Sequence, residues 1–274
     1  LLSCGMAWEH DQINSFDVFL RRGVGLMAPS PKWIATVEAG LSNRDWDAYD
    51  ALIQSEIGEC ACSERATAYN PRFIENVASG YVCVDWMLIK AMLWVESGGP
   101  RQASWKTRPM QIGNPGDPAY GVLKKSAEGS ALVMSPALAA AIRTQSIDSP
   151  ELNIRAAIAY LFTRMAKFDV RSVVDESDKT IHTVTIARGD SLERIAGRVG
   201  TSVEVLKSFR SEVSTTQLWV GEKLRYRKAK MGQIIVGWRK WDFATIAARY
   251  NGGGDPDYAD KLAFVTRLFS QLKR

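Results

Sequence analysis

The sequence predicts a mainly helical α+β chain with a small βααβ unit inserted toward its C-terminal end. Three observations carry that expectation. An almost unbroken apolar run from Trp86 to Val95 suits a core helix and halts at Gly98-Gly99. A second segment, residues 149–168, sets Ile154, Ile158, Leu161, Met165 and Phe168 on one face at spacings of three and four. Beyond residue 170 the pattern changes, and two strand-like stretches, HTVTIA and WVGEKLRYR, flank two short helical ones, GDSLERIAGRVG and SVEVLKSF.

In chain order, residues 1–80 read as helical, with the role of packing around the apolar run. Ser30-Pro31 and Asn70-Pro71 each read as an N-cap followed by proline at the first helical position. Ile34, Val37 and Leu41 follow the first at helical spacing, and Phe73 and Val77 follow the second. Trp46, Tyr49, Ile53 and Ile57 form a further stripe between them. Residues 98–121 are a loop rich in Gly and Pro, long enough to be functional. Within it Arg108-Pro109-Met110-Gln111-Ile112-Gly113 lies near enough to the apolar run to fold back over its end. Asp117 in the same loop reads as a turn residue or a second carboxylate. Ser149 caps the helix that follows, Pro150 takes its first position, and Asn153 and Tyr160 are its polar handles. VRSVVDESDKT and RKAKMGQ read as linkers on either side of the inserted unit. A helix over Trp241–Arg249 then meets the glycine-rich YNGGGD. The last helix, Tyr258–Leu272, aligns Leu262, Val265, Leu268 and Phe269.

A net charge of +5 and a pI near 9.0 favour an anionic partner. Basic residues are scattered, and neither zinc-finger spacing nor an RNA-binding aromatic motif occurs, so nucleic acid is not expected. No apolar run reaches the ~18 residues a membrane span needs. Leu at position 1 reads as a processed chain or a piece of a longer one. Cys60 and Cys62 are too close to pair with each other. Each is left with Cys4 or Cys83 as disulfide partner, with free thiols as the alternative. Neither a metal ion nor a cofactor is expected.

Glu96 closes the apolar run. On the last turn of a core helix, desolvation and the negative end of the helix dipole both raise its pKa. A carboxyl group kept protonated near neutral pH serves a glycosidase as general acid. Taken alone, the run favours the plainer alternative, a helix-end glutamate exposed to water.

Four pieces in order give Glu96 its context: Glu96-Ser97 at the end of the apolar helix, Met110-Gln111, Asn153-Ile154 with Tyr160-Leu161, and Ala248-Arg249-Tyr250-Asn251-Gly252. Together they resemble the lysozyme-like superfamily of lytic transglycosylases and goose-type lysozymes, in its E-S, G-L-M-Q, N-I…Y-L and A-Y-N-G motifs. Two departures stand out. The glycine of the second motif is absent, and Arg249 interrupts the fourth. The resemblance implies a mainly α, lysozyme-like fold with Glu96 as proton donor. It further implies a sugar cleft lined by Gln111, Tyr250, Asn251 and Gly252, with Met110 beneath and Ser97 and Tyr160 supporting Glu96. Asp117 and Asp242 are the two carboxylates considered for a catalytic base.

The inserted unit resembles a LysM module, a family that grips glycans containing N-acetylglucosamine. Gly189-Asp190-Ser191-Leu192, Ile195-Ala196, Val199 to Val203, Leu206 and Gly221-Glu222-Lys223-Leu224 follow its pattern. Arg210 and Val220 depart from the usual Asn and Pro. The resemblance places a glycan groove between Gly189, Asp190, Ser191 and Leu192 on one side and Thr216, Gln217 and Leu218 on the other. The expected domains are a helical part over 1–80, a split lysozyme-like domain over 81–170 and 232–274, and a LysM module over 181–228. The two resemblances together imply peptidoglycan as partner and cleavage of the β-1,4 bond between N-acetylmuramic acid and N-acetylglucosamine, with hydrolysis preferred to transglycosylation. A non-catalytic wall-binding protein is the other class. The implied setting is the periplasm or cell wall, reached by secretion or as part of a larger chain. For an antibacterial effector, an immunity or inhibitor protein would be a further partner.

Overall fold

The computed structural model describes residues 29–60, 68–74, 80–209 and 218–272. The expectations placed on Cys4, Cys62, Val77, Thr216 and Gln217 lie outside these residues. The chain is mostly helical, with two small two-stranded sheets among the described residues. It divides into two compact units: one of the described residues up to Lys167 and from Ile235 onward, the other of Phe168–Ile234.

The elements run α1 (Pro31–Gly40), a 3-10 turn (Arg44–Asp47), α2 (Asp50–Ile57), α3 (Tyr69–Ile74) and α4 (Trp86–Ser97). A second 3-10 turn (Ala103–Lys106) precedes α5 (Ala119–Lys124), α6 (Ser130–Val133), α7 (Pro136–Thr144) and α8 (Pro150–Met165). Then come β1 (Ala166–Val174), β2 (His182–Thr185), α9 (Leu192–Val199), α10 (Val203–Ser208), β3 (Lys223–Tyr226) and β4 (Ala229–Trp238). α11 (Phe243–Ile246), a π turn (Ala247–Asn251) and α12 (Tyr258–Leu272) complete the chain.

Helix α4 forms where the apolar run predicts. Asp85 caps it by accepting a hydrogen bond from Met87 N at 2.9 Å, and every residue from Leu88 to Trp94 is buried. It ends because Gly98 and Gly99 turn left-handed, at φ 66° and 94°. At Gly99 a Cβ would fall inside the Trp46 indole, so the residue is glycine for space as well as for conformation. Helix α12 packs along α4, and α8, buried on nearly all sides, lies against α5, α6 and α7.

Lys90 is the ionisable residue in the buried middle of α4. Its Nζ lies 2.6 Å from both Asp47 Oδ1 and Asp50 Oδ2 and faces the rings of Trp86, Trp94 and Phe269. The cation is thus paired on one side and cradled by aromatic faces on the other, which offsets its desolvation.

Two local expectations change. Asn70 is not an N-cap but sits inside α3. Its buried carboxamide donates to Gly58 O and Val84 O and accepts from Val84 N and Tyr81 Oη, tying separate segments together. Cys60 and Cys83 form a disulfide in the same region, one of the pairings the spacing left open. The presumed linkers are the second change. Residues 170–174 belong to β1 and 229–233 to β4, and these two strands pair. A two-stranded ribbon with little packed on it needs no apolar alternation, so its polar sequence reads as linker. Phe168 accordingly leaves the helix, which stops at Met165.

In the second unit β2 and β3 pair antiparallel, His182 opposite Tyr226 and Val184 opposite Leu224. Ile186, Leu192, Ile195, Ala196, Leu206 and Leu224 form its core. Ser191 and Ser202 cap α9 and α10 through their hydroxyls, and Gly200 ends α9 in the left-handed region.

Replacing Lys90 with Ala leaves the two aspartates without their cation and should cost about 3 kcal/mol in urea unfolding. Asp47→Asn, at a half-exposed partner, should cost under ~1 kcal/mol by the same measurement.

Candidate functional site

The site is built on the end of α4, where Glu96 is left at the rim of the core. Opposite it the 108–114 segment is held by α8. The fully buried Asn153 accepts from Met110 N at 2.9 Å and donates to Ile112 O at 2.8 Å. This clamp fixes the backbone on both sides of Gln111, which adopts a left-handed φ of 60°. A glutamine in that region carries strain, which here turns its side chain toward α4. Gln111 Nε2 donates to Glu96 O at 3.2 Å, and its Oε1 accepts from Asn114 Nδ2.

The π turn supplies the third side. Gly252 N donates to Ala247 O at 3.1 Å, a five-residue spacing, as one extra residue in a helix produces. Arg249 lies within this turn, where the expected A-Y-N-G pattern has no residue. Tyr250 Oη donates to Met110 O at 3.3 Å. The Tyr250 ring lies 5.8 Å from Tyr160 and 6.5 Å from Tyr258, centroid to centroid.

Burial pushes the Glu96 carboxyl up from 4.5 to about 7. The nearby Tyr258 hydroxyl opposes the rise, and the negative charges of Asp255 and Asp117 add to it. The Tyr258 oxygen is buried and makes no well-formed hydrogen bond, yet lies close enough to Glu96 to favour its ionised form. Burial, and then the Glu96 charge, raise both Tyr250 and Tyr258 well above the ordinary phenol value. Both therefore stay protonated and can donate at neutral pH. The arrangement is a carboxyl that changes charge near neutrality, beside protonated phenols and the Gln111–Asn114 amide pair.

Not every expected residue points into this site. Met110 is buried and contributes backbone alone to the polar contacts. Ser97 is buried, with its hydroxyl donating to Leu93 O at 2.6 Å and accepting from Gly99 N at 3.1 Å, so it finishes the helix end. Tyr160 is buried beside Tyr250. Asn251 accepts from Asp255 N at 2.8 Å, and Gly252 is the left-handed cap after the π turn; both shape the turn. Asp117 accepts from Gly113 N at 2.7 Å and Ala119 N at 2.8 Å, the turn role read for it, while its charge still acts on Glu96. Asp242 caps α11 by accepting from Thr245 N, and its charge is not among those shifting Glu96. The sequence reading missed Asp255 and Tyr258. The stretch YNGGGDPDY held the signal, because a turn returning the chain beside Tyr250 carries both residues with it.

In the second unit the Gly189–Leu192 loop is occupied with its own structure. Asp190 binds Arg198 through both oxygens, at 2.8 and 2.9 Å, and accepts from Ala187 N. Those contacts, Arg198 first, lower its pKa to about 2. Ser191 is a helix cap, Leu192 is core, and Gly189 takes a left-handed turn. Leu218 packs on the core, and next to it Trp219 and Val220 stand 61% and 68% exposed. An exposed indole on the loop before β3 is a stacking surface that the sequence reading passed over.

Residues 184–226 match the LysM domain. A LysM domain supports binding of peptidoglycan or chitin and is typical of extracellular or cell-wall proteins. The match covers the end of β2 from Val184, both helices and β3. The chain matches no curated protein and no solved structure. The lysozyme-like reading of the helical unit draws no support from these comparisons. No helix among the described residues is long and apolar enough to cross a membrane. Among the described residues no cluster could hold a metal ion.

The Glu96 shift has a measurable consequence. The folded state favours its protonated form, so the stabilisation is complete below the ordinary value of 4.5 and lost as pH rises through about 7. Carbon-13 NMR should show the Glu96 carboxyl titrating near pH 7. In urea unfolding at pH 8, Glu96→Gln should be the more stable protein, by up to ~3 kcal/mol.

Proposed function

We propose that the protein binds peptidoglycan through its LysM domain and cleaves the glycan strand, with Glu96 as general acid. The observation that carries this reading is the desolvated Glu96 carboxyl at the end of α4, raised to about 7 and facing two protonated tyrosines. Protonated, it would donate to the bridging oxygen between N-acetylmuramic acid and N-acetylglucosamine as that bond breaks through an oxocarbenium-like transition state. Tyr258 and Gln111 would hold the carboxyl and its backbone in place.

Two routes follow protonation. Inverting hydrolysis needs a second carboxylate free to activate water across the sugar. Asp117 is committed to backbone amides, Asp242 to the start of α11, and Asp255 to Lys261 at 2.6 Å. These engagements favour the single-acid route of a lytic transglycosylase over the hydrolysis preferred from the sequence. There the muramic 6-hydroxyl would attack its own C1, the ionised Glu96 would take the hydroxyl proton, and a 1,6-anhydro end would result.

Digestion of purified sacculi tests both steps. The wild-type protein should release muropeptides one water lighter than hydrolysed ones by mass spectrometry, and Glu96→Gln should slow release about a thousandfold. Products of hydrolytic mass would restore the hydrolase. Sedimentation with sacculi but no release of muropeptides would leave a non-catalytic wall-binding protein.

A further inference from the structure

Apart from the Glu96 site, the helical unit carries an open cleft of about 480 Å³ lined by Lys167, Arg239, Lys240 and Arg249, with small side chains between 244 and 248. None of the Glu96 cluster lines it. The fold brings the cations together through backbone hydrogen bonds. Arg239 N donates to Met165 O at 2.8 Å, which sets residue 239 beside the end of α8. The Arg239 Nε then donates to Arg164 O, and the Arg164 Nε to Arg249 O, each at 3.1 Å.

These guanidinium nitrogens are held by carbonyl oxygens, which orient a charge without neutralising it. Among the described residues, Lys167, Arg239 and Arg249 make no ion pair. Lys240 has one long contact, 3.6 Å to Asp242, whose carboxylate already caps α11. Arg164, behind the cleft, is paired with Glu128 at 2.7 Å. Burial, together with the charges of Arg249 and Arg164, lowers the Arg239 pKa, as crowded cations do. A concave surface with several unneutralised cations concentrates anions. Arginine forks favour oxygens in planar or tetrahedral groups.

We propose that this cleft is a binding site for clustered oxyanions, the phosphate or carboxylate groups repeated along a polymer. That the polymer is cell-wall material rests on the function proposed above; the binding itself does not.

The test uses the full chain with Lys167→Glu and Lys240→Glu combined, two exposed positions outside the Glu96 site. Calorimetry with inorganic tripolyphosphate and with citrate should show binding to the wild type and a loss of roughly tenfold or more in the variant. Glu96→Gln should bind like the wild type, whether or not the protein cleaves glycan. If the charge reversals disturb the fold by circular dichroism, Lys167→Gln with Lys240→Gln serves instead. Equal affinity of wild type and variant, or no wild-type binding at millimolar ligand, would overturn the proposal. Sedimentation with sacculi identifies the source. A wild-type advantage abolished by hydrofluoric acid, which strips phosphodiester-linked polymers, assigns phosphate; an advantage that survives assigns stem-peptide carboxylates. No advantage on either preparation counts against the site.

Discussion

The candidate site depends on one buried side chain, Asn153. Its carboxamide takes the place of a strand neighbour for the 108–114 segment, accepting from Met110 N and donating to Ile112 O. A segment with no regular partner would leave those groups unpaired inside the protein, at a cost of roughly 1–3 kcal/mol each. With them satisfied, Gln111 is held in its strained left-handed conformation and bonded to the Glu96 carbonyl. Met110 O, on the same short segment, receives Tyr250. One amide thus connects α8, the loop, the end of α4 and the π turn.

Helix α4 carries two ionisable groups, and the fold treats them oppositely. Lys90 is given two carboxylates and three aromatic faces, so its charge is stabilised within the core. Among the described residues, Glu96 makes no ion pair. Burial first, then the like charges of Asp255 and Asp117, leave it readily protonated, with the hydroxyl of Tyr258 opposing them in part. Asp255, one of those like charges, is itself paired with Lys261 at 2.6 Å. A helix that neutralises one charge and withholds a counter-ion from the other has separated a structural role from a chemical one.

The inserted unit shows how far sequence pattern reaches. Its alternating strand, two capped helices and closing strand were all readable, because each is short, local and punctuated by Ser caps and glycines. What lay beyond the pattern was the ribbon on either side. β1 and β4 are defined by pairing between segments more than fifty residues apart in sequence, not by any periodicity of their own. The same limit applies to Asn70. Its local sequence is that of a helix cap, and only the arrival of residues 81–84 turns it into an internal tie.

The sequence by itself determined where α4, α8, α12 and the two helices of the inserted unit lie, that a carboxylate closes the apolar run, and that a LysM-like unit interrupts the helical part; α5, α6 and α7 were not read from it. Those features follow from hydrophobic period, capping residues and turn-forming glycines, which act over a few residues. Tertiary structure alone decided what surrounds Glu96. Tyr258 and Asp255 are about 160 residues away along the chain, and the packing of α12 on α4 brings them close. It also decided that Ser97 and Asp242 spend their oxygens on backbone groups, and that the basic residues near 167 and 239–249 share one cleft. Desolvation and charge crowding depend on distances in space, and a linear pattern does not encode them until the chain has closed on itself.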